Sequence, residues 1–289
     1  MQKPVPRVAA IHDLSGFGRG SLTTVIQVLA TMGIQPCPLP TAVLSTHTGG
    51  FEHYRFVDLT DKIPDFIDHW EELEIEFDAI YSGFLGSKNQ IEIVIDFIKK
   101  FKNKKQYVII DPVLGDNGNL YDTFDIEMVD NMKKLVKKAD IITPNLTEAQ
   151  FLLDKKQKRI ENDEDAKMWL KQLSSFGPSI VVITSVLGYN EKEKTAVLAY
   201  HRKDNRFWKV DCDYIPANFP GTGDLFTSIL VGSILTGDSL SMAIDRAVQF
   251  ISMAVRATYG YDLPEREGVL LERVLANLNI PITGNSYEI

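Results

Sequence analysis

Short apolar runs alternate with amphipathic segments along most of this chain, and that alternation restricts the fold more than any other feature. Residues 8–12, 77–81, 107–110, 140–143 and 180–184 read as strands, and 38–45 as a strand broken at Pro40. Residues 21–32, 62–73, 90–101 and 128–138 read as the helices between them. In one of these, Ile91, Val94, Ile95 and Ile98 recur at the spacing of a single helical face. A strand that is apolar throughout must be covered on both sides. The pattern therefore predicts an α/β fold with a central, mostly parallel sheet and helices on both faces. The second half varies this theme. Residues 195–201 and 206–211 read as a hairpin across Lys203-Asp204-Asn205, and 224–235, 240–259 and 267–278 as the last helices. No repeat, low-complexity run or linker interrupts the 289 residues, so one domain spanning 1–289 is expected.

Composition narrows the function. A net charge of -8 argues against binding to a nucleic-acid backbone, which needs a basic field. A nucleotide held by backbone amides and a metal ion stays compatible with it. Cys37 and Cys212 are far apart and form no CxxC pair, which fits a reducing compartment. The longest apolar stretch, around 226–235, is too short to span a bilayer. Met1-Gln2-Lys3-Pro4 lacks a signal-peptide layout. A cytoplasmic protein without membrane contact is expected.

Polar groups gather where the strands end: Asp13, Gly83, Asp111, Thr143-Pro144-Asn145 and Thr184-Ser185. In open α/β sheets ligands bind at that edge. The run Gly221-Thr222-Gly223-Asp224 opens an apolar helix, whose unpaired N–H groups and positive dipole end suit a phosphate. An ordinary helix start also favours Asp, so the run alone leaves both readings open. Asp111-Pro112-Val113-Leu114-Gly115-Asp116 offers two carboxylates that can hold Mg²⁺ directly or through water, or simply cap a turn. Asn145-Leu146-Thr147-Glu148 offers a polar pair near metal and phosphate, or a helix start capped by Thr147. His12-Asp13 and Ser45-Thr46-His47-Thr48-Gly49-Gly50 follow the first two strands. All four constellations fall at one sheet edge.

On these residues the chain resembles the ribokinase-like superfamily, and within it the pyridoxal kinases, from about Val8 to about Gly260. Gly221-Thr222-Gly223-Asp224 is similar to the family's anion hole and catalytic Asp. Asn145-Leu146-Thr147-Glu148 is similar to its N-x-x-E motif, and residues 111–116 to its D-P-V-x-G-D run. His47-Thr48-Gly49 and Ser82-Gly83-Phe84-Leu85-Gly86-Ser87 are similar to its H-T-G and S/T-G-Y-x-x-S segments. The resemblance implies a ribokinase-like fold without a large separate lid domain. It implies transfer of phosphate from ATP to the 5′-hydroxymethyl group of a B6 vitamer, with Asp224 as base. The Gly221, Thr222 and Gly223 amides would steady the phosphoryl group. Mg²⁺ would sit near Asp111, Asp116 and Glu148, and a monovalent cation is a further candidate. Thr143, Asn145, Thr184 and Ser185 match nucleotide positions, and Ile215, Ala217 and Phe219 match the stretch beside adenine. Asp13, Thr48 and Phe84 match the substrate side, and a homodimer is implied. Asp13 stands where many relatives have Ser, and Phe84 where many have Tyr. An Asp beside the pyridine nitrogen would favour its protonated form.

Three alternatives remain within reach of the sequence. A hydroxymethylpyrimidine kinase of thiamine synthesis acts on a similar flat heteroaromatic, although the H-T-G and D-P-V-L-G-D runs favour the B6 kinase. A sugar kinase would need a lid for which residues 45–61 leave little room. A non-catalytic vitamer or nucleotide sensor would have no use for Asp224. The Gly16-x-Gly18-x-Gly20 run reads as a flexible turn rather than a dinucleotide fingerprint.

Overall fold

The computed structural model describes residues 4–156, 158–187, 194–213, 215 and 217–289. Residues 1–3 of the N-terminal segment and Pro216 of the adenine-side stretch lie outside the described residues. The strands are β1 (Arg7–Phe17), β2 (Gln35–Thr46), β3 (Phe56–Asp58), β4 (Ala79–Ser82), β5 (Tyr107–Ile110), β6 (Gly115–Asp116), β7 (Asn119–Leu120), β8 (Ile141–Ile142), β9 (Ile180–Leu187), β10 (Lys194–His201), β11 (Arg206–Asp213) and β12 (Tyr287–Glu288). The helices are α1 (Ser21–Thr31), α2 (Ile63–Glu72), α3 (Lys88–Phe101), α4 (Ile126–Val136), α5 (Leu146–Leu152), α6 (Asp163–Ser175), α7 (Thr222–Thr236), α8 (Leu240–Tyr259) and α9 (Leu271–Val274).

Among the described residues one ten-stranded sheet runs in the order β12-β11-β10-β9-β8-β5-β4-β1-β2-β3. The six strands from β9 to β2 are parallel. β3 and the β10–β11–β12 meander add antiparallel edges. Successive side chains of a strand face opposite ways. Ala9 and Ile11 of β1 accordingly join the core under α2 to α6, while Val8 and Ala10 join the core under α1, α7, α8 and α9. The same division separates Val181 and Ile183 from Ile180 and Val182 on β9. The expected two-sided sheet is therefore present, and among the described residues no separate lid is evident.

Several boundaries differ from the sequence reading, each for a physical reason. β2 is not broken at Pro40: it starts at Gln35 and pairs with β1 through Pro36, Pro38 and Pro40. Alternation puts all three proline nitrogens on one side of the strand, and β3 pairs there only from Ala42, so no ladder donor is missing. β1 continues past Asp13 to Phe17, so Gly16 lies in a strand rather than a turn. The β1–β2 register slips by one residue between His12–Pro40 and Leu14–Val43, opposite Asp13. Slips of this kind re-aim side chains, often beside sites. The expected last helix is instead a 3₁₀ turn, the single turn α9 and a second 3₁₀ turn. Gly268, at φ +78°, breaks it, and Glu265 and Glu267 are tied to Asn218 and Arg19. α6 has no counterpart in the reading, although Ala166, Trp169, Leu170 and Leu173 are spaced as one buried face.

Candidate active site

At the C-terminal ends of the parallel strands lies a cleft of about 260 Å³. It is lined from one side by Asp13, Ser21, His47, Thr48, Gly49 and Phe84, and from the other by Asp111, Thr143, Asn145, Glu148, Thr184 and Ser185. The start of α7, Gly221 to Asp224, meets both walls. All four sequence constellations are thus brought to one cavity, because a parallel sheet delivers every strand end to the same edge.

Gly221 caps α7 in the left-handed region, at φ +85°, and a Cβ there would collide with the carbonyl oxygen of Arg19. Only glycine meets both demands. The first amides of the helix, at Thr222, Gly223 and Asp224, have no intrahelical acceptor, so the turn presents donors and a positive dipole end to the cavity. Asp224 sits in this turn. Its Oδ2 accepts the Ser21 backbone N–H at 2.7 Å. Its Oδ1 lies 3.7 Å from His12 Nδ1, and 15% of the side chain is exposed. Burial raises the Asp224 pKa from 3.8 to about 7; the Asp13 charge adds to the rise and the Ser21 N–H opposes it. A carboxylate poised there takes up a proton near neutral pH.

On the first wall, Phe84 stacks on Phe124 at 5.7 Å between centroids and 19° between planes. His47 Nδ1 accepts the Gly49 N–H at 3.1 Å, which fixes the loop carrying Thr48. Gly18, at φ +93°, lets the backbone pass the His47 ring where a Cβ would clash. Asp13 lines the cleft but is 4% exposed. Its two oxygens accept hydroxyls, Oδ1 from Ser21 at 2.5 Å and Oδ2 from Ser15 at 2.9 Å. The carboxylate expected at a pyridine nitrogen is thus already engaged with serines.

On the second wall, Asn145 rather than Thr147 caps α5. Asn145 Oδ1 accepts the Glu148 N–H and Glu148 Oε2 accepts the Asn145 N–H, the reciprocal pair of a capping box. Glu148 Oε1 accepts the Leu114 N–H at 3.2 Å, and Asn145 Nδ2 donates to the Gly115 carbonyl at 2.9 Å. The two motifs at 111–116 and 145–148 are therefore one hydrogen-bonded unit. Thr143 Oγ1 accepts the Thr227 hydroxyl at 2.9 Å, tying this wall to α7. Phe219 lines the cleft, whereas Ile215 and Ala217 pack against the core beside it and do not.

Burial, then repulsion by Asp224, raises the Asp111 pKa well above the usual carboxylate range. Burial, then repulsion by Asp111, does the same to Glu148. Two buried acids whose charges repel are an environment that a divalent cation would relieve. Among the described residues, however, no group of three or more His, Cys, Asp or Glu side chains converges closely enough to hold a metal ion. Asp116 is exposed on the β6–β7 hairpin and accepts from Asn117. Asp111, Asp116 and Glu148 are thus not a direct ligand set, and they suit an ion that keeps its waters, as Mg²⁺ does.

Two neighbours of the site, Ser21 and Tyr121, were not singled out from the sequence, and a third, His12, entered it only as the residue before Asp13. Ser21 supplies the amide that holds Asp224. His12 is fully buried, its ring edge-on to Tyr81 at 4.4 Å, and burial lowers its pKa to about 3, so it stands neutral beside Asp224. Tyr121 lines the cleft with 40% of its surface exposed; partial desolvation, then repulsion from Glu148 and Asp116, raises its pKa, so the phenol stays protonated. Only His12 carried a signal, its place directly before Asp13 at a strand end. Ser21 opens α1, and its contact with Asp224 spans 203 positions, which no local pattern encodes.

Residues 21–268 match the family model for phosphomethylpyrimidine kinase. The chain is 31% identical over 270 residues to a pyridoxal kinase of Arabidopsis thaliana, covering 87% of this chain and 83% of that protein. It is similar to a Bacteroides thetaiotaomicron structure, provisionally assigned as a phosphomethylpyrimidine kinase and crystallised with pyridoxal. That likeness has a TM-score of 0.95 at 55% identity and covers 99% of this chain and 100% of the other. A Lactobacillus plantarum pyridoxal kinase superposes with a TM-score of 0.86 at 29% identity, covering 94% and 96% of the two chains. With its mostly parallel sheet, its glycine-capped α7 and these relatives, the chain belongs to the pyridoxal kinase family of the ribokinase-like superfamily.

Proposed function

We propose that this chain phosphorylates the 5′-hydroxymethyl group of a B6 vitamer, with ATP as donor and Asp224 as the base. One observation carries the reading: a carboxylate with its pKa raised to about 7 sits in the amide-rich first turn of α7, between the two walls of one cleft. Thr48 and Phe84 are assigned to the vitamer, Thr48 as a hydrogen-bonding group and Phe84 as an apolar wall for the ring. Thr143, Asn145, Thr184, Ser185 and Phe219 are assigned to the nucleotide. In the transfer, Asp224 takes the hydroxyl proton while the hydroxymethyl oxygen bonds to the γ-phosphorus. The bond to the β–γ bridging oxygen breaks and ADP leaves. The Gly221, Thr222 and Gly223 amides hold the equatorial oxygens, where charge is greatest. Asp111, Asp116 and Glu148 would hold Mg²⁺ through its waters, and the ion would supply neutralisation of phosphate charge.

The remaining assignments follow from the same reading. The chain works as a single kinase domain over 1–289 and acts in the cytoplasm. Among the described residues no helix is long and apolar enough to cross a membrane. A homodimer forms through the edge at β3, where Phe17, Val43, Phe56 and Val57 are exposed. A hydroxymethylpyrimidine kinase is the second reading, favoured by the family model that matches residues 21–268. Pyridoxal, pyridoxine, pyridoxamine and hydroxymethylpyrimidine should be offered separately with ATP and Mg²⁺, and products identified by mass. Phosphorylation of the pyrimidine alone would reject the B6 assignment.

A further inference from the structure

We infer that Asp13 and Ser21 form a positioning device for Asp224, in which Asp13 clamps Ser21 so that the Ser21 amide fixes one oxygen of the base. The inference rests on the assignment of Asp224 as the base.

Ser21 is the first residue of α1 and holds φ +48°, in the left-handed region that side-chain-bearing residues avoid. Such a conformation persists only where its surroundings impose it, and it concentrates at functional sites. Here the surroundings are Asp13 and Asp224. The Ser21 hydroxyl donates to Asp13 Oδ1 at 2.5 Å, and the Ser21 N–H donates to Asp224 Oδ2 at 2.7 Å. Ser15 donates to the other Asp13 oxygen at 2.9 Å, so Asp13 cannot swing away without losing a buried partner. Ser15 is 0%, Asp13 4% and Ser21 8% exposed, so water cannot readily replace these bonds. The register slip of β1 against β2 falls opposite Asp13 and sets the strand locally for this contact.

The consequence concerns the base itself. With Oδ2 held by the Ser21 amide, Asp224 is fixed about its side-chain torsions. Oδ1 is left as the proton-accepting oxygen, facing neutral His12 at 3.7 Å. Asp13 therefore acts on the reaction through Ser21, as a positioning residue rather than as a counter-ion of the substrate ring.

Four variants of the full chain separate the two roles: Ser21→Ala, Ser21→Gly, Asp13→Ala and Asp13→Asn. Ser21→Ala lacks the hydroxyl yet must keep the left-handed turn, so kcat should fall about tenfold to hundredfold with KM for pyridoxal little changed. Glycine adopts that turn without the clamp, so Ser21→Gly should run at least about fivefold faster than Ser21→Ala. Asn keeps an acceptor for the Ser21 hydroxyl, so Asp13→Asn should exceed Asp13→Ala in kcat by a similar factor. The Ser21 amide proton, read by ¹H–¹⁵N NMR on the ligand-free protein, should lie downfield. It should move upfield in Asp13→Ala but stay near its place in Asp13→Asn. Equal kcat for Ser21→Ala and Ser21→Gly would overturn the inference. So would an amide unmoved by Asp13→Ala, or equal KM increases in both Asp13 variants with kcat intact. If Asp13→Ala does not fold, the Ser21 pair alone decides. If the amide responds as expected but the parent phosphorylates no vitamer, the device stands and the assignment of substrate fails.

Discussion

Replacing Asp224 by Asn separates catalysis from stability, because the same buried charge serves one and opposes the other. The Asp224 pKa rises from 3.8 to about 7 on folding. At about 1.4 kcal/mol per pKa unit, charging this carboxyl in the folded chain costs about 4 kcal/mol more than in the unfolded chain. The side chain keeps 15% exposure, and Asn is a weaker acceptor for the Ser21 amide. About 2 kcal/mol should therefore appear as gained stability in Asp224→Asn above pH 7, raising Tm by about 4 °C. The sign follows from proton binding. Between the unfolded and folded pKa values the folded parent keeps a proton that the unfolded chain has lost, so its stability falls as pH rises from about 4 to about 7 and then levels. The advantage of Asp224→Asn should grow through that window and stay constant above it. Over the same series kcat should drop about 10²- to 10⁴-fold, the usual contribution of a positioned base. The parent kcat/KM should rise with pH along an acid limb near 7, since only the ionised carboxylate accepts the proton. Thermal melts from pH 4 to 9 and steady-state kinetics on pyridoxal measure both. Parallel melting curves for parent and variant, or kcat within tenfold of the parent, would refute the reasoning.

Gly221→Ala forces a Cβ against the Arg19 carbonyl at φ +85°, so activity should fall at least about tenfold as the anion-holding turn shifts; steady-state kinetics with ATP check it. Asp111→Asn removes one of two buried acids, and the Mg²⁺ concentration for half-maximal rate should rise about tenfold or more, read by Mg²⁺ titration at fixed ATP. Val57→Lys puts a charge on the exposed β3 edge, where Val57 is 57% exposed. It should convert a dimer to a monomer on analytical ultracentrifugation, and an unchanged sedimentation coefficient would place the dimer surface elsewhere.

Much of the fold was legible because its signals are local. The apolar runs of β1, β4, β5, β8 and β9 announce a sheet covered on both sides, and the spacing of Ile91, Val94 and Ile98 announces a helix face. The break expected at Pro40 is absent because a proline's effect depends on whether a neighbouring strand needs its N–H, which is a pairing property. The tail departs from a single helix for a similar reason. Its start, at Glu265 and Glu267, is tied to Asn218 and Arg19, distant in the chain.

The site divides along the same line. The amino-acid order alone put candidate chemistry at each strand end: a glycine-flanked helix start with Asp224, the carboxylates of Asp111, Asp116 and Glu148, and Asp13 after the first apolar run. These depend on residue type and on neighbours a few positions away. Tertiary structure decided which groups touch. It set Asn145 and Glu148 into one capping box under Leu114, turned Asp13 onto Ser15 and Ser21, and brought the Ser21 amide to Asp224 across 203 positions of sequence. The raised pKa of Asp224 belongs to that second class. Its largest cause is burial, and burial comes into being only when α7, α1 and the sheet close on one another.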